Sequence, residues 1–184
     1  MIQESRILKI TEALYTHSAS VLKDGILQYV TIEELFELAL HPTTRTAFRA
    51  TWYLEHVLLG KGYNLIEYKE KILYIFSNSN NWSVQRSISK LILALLQSIK
   101  LNTLSEEIME ILLNSTFRLL ENPHCPVAVR CNLYDIICLL ITEQPWLIQE
   151  FIHRIELDLA IHETPALRSR ANKVLKRLER IAKS

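Results

Sequence analysis

The sequence repeats one short pattern four times, and this repetition constrains the fold more than any other feature. Arginine stands at Arg49, Arg86, Arg130 and Arg170, at successive separations of 37, 44 and 40 residues. A small residue follows each arginine, and leucine stands five positions later in three of the four segments. A loop with proline or helix-capping residues precedes each one. A recurrence near 40 residues, with two helices in each unit, is typical of helical solenoids.

The spacing of apolar residues is helical throughout. Helices are predicted over about 5–22, 31–41, 44–59, 64–77, 82–98, 104–121, 126–143, 145–161 and 165–184. Thr31 is expected to cap the second helix, and Pro145 is expected at the first position of the eighth. The chain has only three glycines, which disfavours tight hairpins and glycine-rich phosphate loops. The sequence therefore predicts an all-α protein with roughly nine helices.

The arginine segments resemble those of the HEAT-like (armadillo-type) helical repeat family, over about residues 31–184. The resemblance implies an α-α superhelix, a short right-handed solenoid of about four helix pairs, in a single domain over 1–184. Residues 1–30 would form an N-terminal capping helix, and 164–184 a basic C-terminal capping helix. The resemblance also implies a structural role for the four arginines, which would bind the loops between repeats. A guanidinium suits this role because it can donate to several loop carbonyls at once.

Two departures from the family pattern concern the partners of these arginines. Six positions before each arginine, typical repeats carry an acid, but this chain has Thr43, Asn80, His124 and Thr164. The arginines are therefore expected to bond carbonyls or helix caps rather than carboxylates. Asp135 stands where the other repeats carry leucine, and such a carboxylate needs a partner. Arg86 of the preceding unit is the predicted partner, in a structural role, with a catalytic role left as the alternative.

Composition indicates an ordinary globular protein. The 184 residues are 49% hydrophobic with a net charge of +1, which selects no partner by itself. Cys125, Cys131 and Cys138 are an odd number in a short window, which is a poor disulfide framework, and we expect reduced cysteines in a cytoplasmic protein. No signal-peptide pattern is visible, and the apolar runs are far shorter than the ~20 residues that span a bilayer.

No motif for catalysis, metal binding or cofactor binding stands out. His124 and Cys125 share a loop, but no paired ligand spacing accompanies them. The segment 60–62, Gly-Lys-Gly, lacks the rest of a phosphate-binding loop and is better explained as a helix end. The sequence therefore predicts no catalytic residues, no metal site and no cofactor.

Charge is distributed unevenly between the helices. The second helices of the four pairs hold twelve acids against four bases, a net charge of −8. The acids are Glu33, Glu34, Glu37, Glu67, Glu70, Glu106, Glu107, Glu110, Glu121, Glu150, Glu156 and Asp158. The terminal segment 164–184 holds seven bases against Glu179, a net charge of +6. In solenoids of this family the second helices line the concave face, which would therefore be acidic.

The leading hypothesis is a non-enzymatic scaffold whose acidic concave face binds a basic protein or peptide. The predicted partner-binding residues are Glu67, Glu70, Glu107, Glu110, Glu150 and Trp146. The alternative is nucleic-acid binding, because the repeats also resemble those of DNA alkylation repair glycosylases, although these use a basic concave face. A third possibility is a small all-helical enzyme of the fumarase and adenylosuccinate lyase superfamily. The flexible serine- and glycine-containing loop of those enzymes has no counterpart here.

Overall fold

Helices account for all of the regular structure that is described. The computed structural model describes residues 3–16, 25–60, 62–162 and 164–181. Within these ranges the α-helices are α1 (Glu4–Thr16), α2 (Ile32–Leu38), α3 (Thr44–Gly60), α4 (Lys69–Asn78), α5 (Trp82–Ser98), α6 (Glu106–Glu121), α7 (Val127–Leu140), α8 (Ile148–Ile161) and α9 (Pro165–Ile181). The same ranges contain no strand, so the prediction of an all-α protein with about nine helices is confirmed.

Two helices begin later than the sequence predicts. Short 3-10 turns, Leu65–Tyr68 and Pro145–Leu147, precede α4 and α8. The Asn64 side chain accepts a hydrogen bond from the Ile66 N–H at 3.2 Å, which stabilises the first of these turns. Pro145 therefore opens a 3-10 turn rather than the α-helix itself, where its missing N–H is equally harmless. The end of the predicted first helix, 17–22, lies outside the described residues.

Local capping fixes the ends of α2 and α3. The Thr31 hydroxyl accepts from the Glu34 N–H at 3.1 Å, and the Glu34 carboxylate accepts from the Thr31 N–H at 2.8 Å. This reciprocal pair is a capping box, so the predicted cap at Thr31 is confirmed. After α3 ends at Gly60, Gly62 adopts a φ of +68°, a left-handed conformation that favours glycine.

The chain divides into two compact units, Met1–Ala94 and Leu95–Ser184. In the first unit, α3 packs against α1 and α2. Leu14, Leu35 and Leu54 are fully buried, one from each of these helices. Arg6 on α1 forms a bidentate ion pair with Glu34 on α2, at 2.7 and 2.9 Å.

In the second unit, α7 packs between α6 and α9, and α9 also contacts α8. The side chains of Leu133, Tyr134 and Ile137 make α7 the centre of this core, because all three are fully buried. Helix α9 contributes an apolar stripe of Leu167, Ala171, Val174 and Leu178, and its basic residues are exposed apart from Arg170, which is half-buried. The single-domain organisation expected from the repeats stays a prediction.

Candidate functional site

Arg130 lies at the centre of a buried polar cluster in the second unit. Its Nη1 donates to the Leu120 carbonyl at 2.9 Å, and its Nη2 donates to the Asn122 carbonyl at 3.2 Å. Both carbonyls stand at the C-terminal end of α6, where the last carbonyls of a helix have no partner within it. The side chain is only 1% exposed. Arg130 therefore holds the α6–α7 loop against the core.

A carboxylate from α8 neutralises this arginine. Asp158 Oδ1 lies 2.7 Å from Arg130 Nη1 and 2.6 Å from Arg154 Nη2, and the Arg154 Nη2 also donates to the Leu120 carbonyl at 2.7 Å. Tyr134 donates its hydroxyl proton to Asp158 Oδ2 at 2.7 Å. Arg130 bonds loop carbonyls as predicted, but the prediction that it avoids carboxylates is wrong, because Asp158 on the second helix of the same pair supplies one.

This cluster also corrects the charge count of the second helices. Asp158 is 0% exposed, so it cannot contribute to an acidic binding surface. Its neighbour on the same helix, Arg154, is only 17% exposed and is engaged in the same ion pair. Burial, followed by the hydrogen bond to Asp158, raises the pKa of Tyr134, which keeps its hydroxyl protonated as a donor. These residues are structural.

Asp135 is paired with the arginine of the next repeat. Its Oδ2 lies 3.0 Å from Arg170 Nη1, so the prediction of Arg86 as its partner is wrong. Burial raises the pKa of Asp135, and Arg170 opposes that rise. The spacing of the repeats could not choose between the two arginines, because each lies one repeat away.

The other repeat arginines differ from Arg130 in burial. Arg49 is half-buried and Arg86 is exposed. In the repeat of Arg86, the preceding residue Gln85 is fully buried, and its Nε2 donates to the carbonyls of Phe76 and Ser79 at 3.0 and 2.7 Å. Gln85 thus binds the α4–α5 loop much as Arg130 binds the α6–α7 loop. The arginine pattern does not reveal this role, because Gln85 lies one position before the arginine register.

An open groove of about 580 Å³ lies between α6, the 3-10 turn at 145–147 and α8, and we name it the C-terminal groove. Its lining residues are Glu106, Met109, Glu110, Leu113, Asn114, Phe117, Glu121, Gln144, Trp146, Leu147 and Glu150. Four of these are acids and none is a base. The Trp146 side chain is 69% exposed, and its indole N–H donates to Gln144 Oε1 at 2.8 Å. The groove therefore combines apolar side chains, one open aromatic ring and a carboxylate rim.

Three of the predicted partner-binding residues, Glu110, Glu150 and Trp146, line the C-terminal groove. Glu107 is exposed in the first turn of α6 but is not among the lining residues. Glu106 and Glu121 line the groove and were not singled out from the sequence. Their helical spacing could have revealed them, because 106, 110, 113, 117 and 121 form one stripe along a helix.

A second groove, also of about 580 Å³, lies between α2 and α4 of the first unit, and we name it the N-terminal groove. It is lined by Glu33, Phe36, Glu37, Leu40, Glu70, Lys71, Tyr74 and Ile75. Of the predicted partner-binding residues, Glu70 belongs to it. Glu67 lies in the preceding 3-10 turn, where its carboxylate accepts from the Asn64 amide at 3.2 Å, and it does not line the groove.

Within the described ranges, no three His, Cys, Asp or Glu side chains are grouped so that they could hold a metal ion. Among the same residues, no helix has the length and apolar character needed to cross a membrane.

The three cysteines are free, and burial raises the pKa of each thiol, in the case of Cys125 to about 11. Because the thiolate is the reactive form, we expect all three to react more slowly with Ellman's reagent at pH 8 than free cysteine does. Cys131 should react first, since it is half-buried whereas Cys125 and Cys138 are buried. Cys131→Ser should remove the fastest phase. A thiol count below three in denaturant would contradict this prediction.

The described helices are paired, Gln85 and Arg130 bind the loops before two successive repeats, and grooves lie between second helices, which together define a helical-repeat protein. A family model described as HEAT repeat domain matches residues 15–178, so the chain belongs to the HEAT repeat family. The resemblance expected from the arginine segments is thereby confirmed. Neither the curated proteins nor the solved structures contain a match to the chain.

Proposed function

We propose that this HEAT repeat protein is a non-enzymatic scaffold that binds a basic, amphipathic segment of a partner protein in the C-terminal groove. The observation that carries the proposal is Trp146, a large aromatic side chain that is 69% exposed beside an apolar floor. Met109, Leu113 and Phe117 supply that floor. An exposed aromatic ring is costly to leave in water, and tryptophan is enriched among the residues that dominate binding energy at interfaces.

The rim of the groove favours a basic partner. Glu106, Glu110, Glu121 and Glu150 line it, with no arginine or lysine among the lining residues to neutralise them. Acidic rims speed the association of a basic segment and repel an acidic one. A segment with apolar residues facing Trp146 and lysine or arginine at its edges would complement both features.

The same lining disfavours the two other functions. Phosphate groups of a nucleic acid would meet four carboxylates, whereas binding to DNA requires several lysine or arginine contacts along one track. An active site needs a base or nucleophile close to groups that stabilise developing charge. The lining of this groove offers carboxylates, which can act as bases, but no cysteine, serine, threonine, histidine, lysine or arginine, and its indole N–H is already bonded to Gln144.

The proposal predicts that peptides selected from a displayed library on the full chain will be basic and amphipathic. Glu110→Lys with Glu150→Lys should weaken their binding by about tenfold or more, because two attractive charges become repulsive. Trp146→Ala should weaken it by roughly thirtyfold, as expected for a binding hot spot. Isothermal titration calorimetry at two salt concentrations measures both effects, and raising the salt should lower the affinity.

Glu156→Lys provides the matched control. Glu156 lies on α8 like Glu150, is exposed, and is not among the lining residues, so it carries the same charge change away from the groove. Its binding should match that of the unchanged protein. Equal losses in Glu156→Lys and in Glu150→Lys made alone would show a general charge effect and refute a site in this groove. Undiminished binding by Trp146→Ala would do the same.

A further inference from the structure

The N-terminal groove contains a positively charged side chain that belongs to the chain itself. Lys71 Nζ lies 5.6 Å from the ring centroid of Phe36 and 4.0 Å from Glu33 Oε1. An ammonium within about 6 Å of an aromatic face is attracted by the ring. Tyr68 stacks on the same phenylalanine with ring centroids 5.6 Å apart, so the ring is held in position. Phe36, which is only 6% exposed, and Glu33 thus contact a cation that the chain itself supplies.

The contact between Lys71 and this site is weak. The side chains of Lys71 and Glu33 are 49% and 61% exposed, and an exposed ion pair of this kind contributes little to stability. Lysine also has a flexible stem that can move its ammonium into water at small cost. When Lys71 moves away, the lining retains three carboxylates, those of Glu33, Glu37 and Glu70, and no base.

The rest of the groove can accommodate the neighbours of a cation. Leu40 and Ile75 provide apolar lining, and the Tyr74 side chain is 61% exposed at the same place. A planar guanidinium suits this combination better than an ammonium, because it can stack on an aromatic ring while it donates to carboxylates. The carboxylates of the groove attract a cation, and the aromatic ring of Phe36 favours the planar guanidinium of arginine.

We infer that the N-terminal groove is a second binding site, which takes one arginine side chain of a partner protein segment and in its absence is occupied by Lys71. The incoming guanidinium would take the place of the Lys71 ammonium over Phe36 and pair with the carboxylates of the groove. The inference goes beyond the proposed function, since it concerns the first unit and requires no binding in the C-terminal groove.

The probe is the pentapeptide acetyl-Ala-Leu-Arg-Leu-Ala-amide, titrated into the ¹⁵N-labelled full chain and followed by NMR. The amides of Glu33, Phe36, Glu70 and Tyr74 should shift. Lys71→Met removes the competing charge and keeps the length of the side chain, so it should tighten binding roughly threefold or more. Glu33→Gln and Phe36→Leu should each weaken binding by a similar factor.

Lys69→Met is the matched control, because Lys69 lies on the same helix and does not line the groove. Its affinity for the probe should equal that of the unchanged protein. A peptide with norleucine in place of arginine should not bind.

The inference is overturned if Lys71→Met leaves the affinity unchanged or lowers it, if the norleucine peptide binds equally well, or if the shifts occur only elsewhere. Repeating the titration with Trp146→Ala should give the same result, which separates this site from the C-terminal groove.

Discussion

Asp158→Leu is expected to lower the free energy of unfolding by about 3–5 kcal/mol, because it leaves a buried charge without its partner. Arg130 is 1% exposed and would keep its positive charge inside the core after losing the carboxylate that neutralises it. Arg154 also pairs with Asp158, so the two arginines would be left as unneutralised like charges beside each other. The Tyr134 hydroxyl would lose its hydrogen-bond acceptor. Urea denaturation followed by circular dichroism measures the change. Arg130→Met should destabilise in the same direction.

Asp135→Leu serves as the comparison for this prediction. Asp135 is paired with Arg170, but the arginine side chain is 42% exposed and remains solvated when the acid is removed. Asp135→Leu should therefore lower the free energy of unfolding by about 1 kcal/mol or less. If Asp158→Leu cost no more than Asp135→Leu, the large cost expected for leaving the buried Arg130 unpaired would be wrong. Binding of basic peptides in the C-terminal groove should persist in Asp158→Leu wherever that variant is still folded, since Asp158 does not line the groove.

The repeat pattern predicted where Arg130 stands but not which acid neutralises it. The arginine recurs along the chain, and its loop-binding role was implied by the resemblance to HEAT repeats. Asp158 lies on the second helix of the same pair, and the repeat spacing does not distinguish it from the other acids of the second helices. What the sequence does show is Arg154 one helical turn before Asp158, a spacing that places both on one face of α8.

The acidic character of the grooves was predicted from the sequence, but most of the residues that line them were not. A surplus of acids on the second helices is visible from the sequence, whereas the acids that share a groove depend on how each helix is rotated. Glu110 and Glu107 are three positions apart on α6, yet only Glu110 lines the C-terminal groove. The role of Lys71 could not be predicted, because it depends on α4 packing beside Phe36 of α2.

A chain that ends at residue 163 is expected to lose the cooperative folding of the Leu95–Ser184 unit. Helix α9 buries Leu167, Ala171, Val174 and Leu178. Returning these side chains to water, and uncovering the surface of α7 beneath them, costs roughly 5 kcal/mol or more, which is comparable to the whole stability of a small domain. Far-UV circular dichroism should show loss of helix beyond the deleted segment. A truncated chain that melted as cooperatively as the full one would contradict this packing.

Because truncation removes the fold together with the charge, the basic surface of α9 is better tested by Lys173→Gln, Lys176→Gln and Arg180→Gln combined. All three side chains are exposed, so the variant should keep the melting temperature of the unchanged protein within a few degrees. The unchanged protein should bind duplex DNA only weakly, with a Kd roughly micromolar or poorer at physiological salt, since few phosphates can be contacted by one helix. The triple variant should lose that residual affinity while it keeps its basic-peptide binding. Nanomolar DNA binding that disappeared in the triple variant would instead make α9 a nucleic-acid site and favour the alternative function.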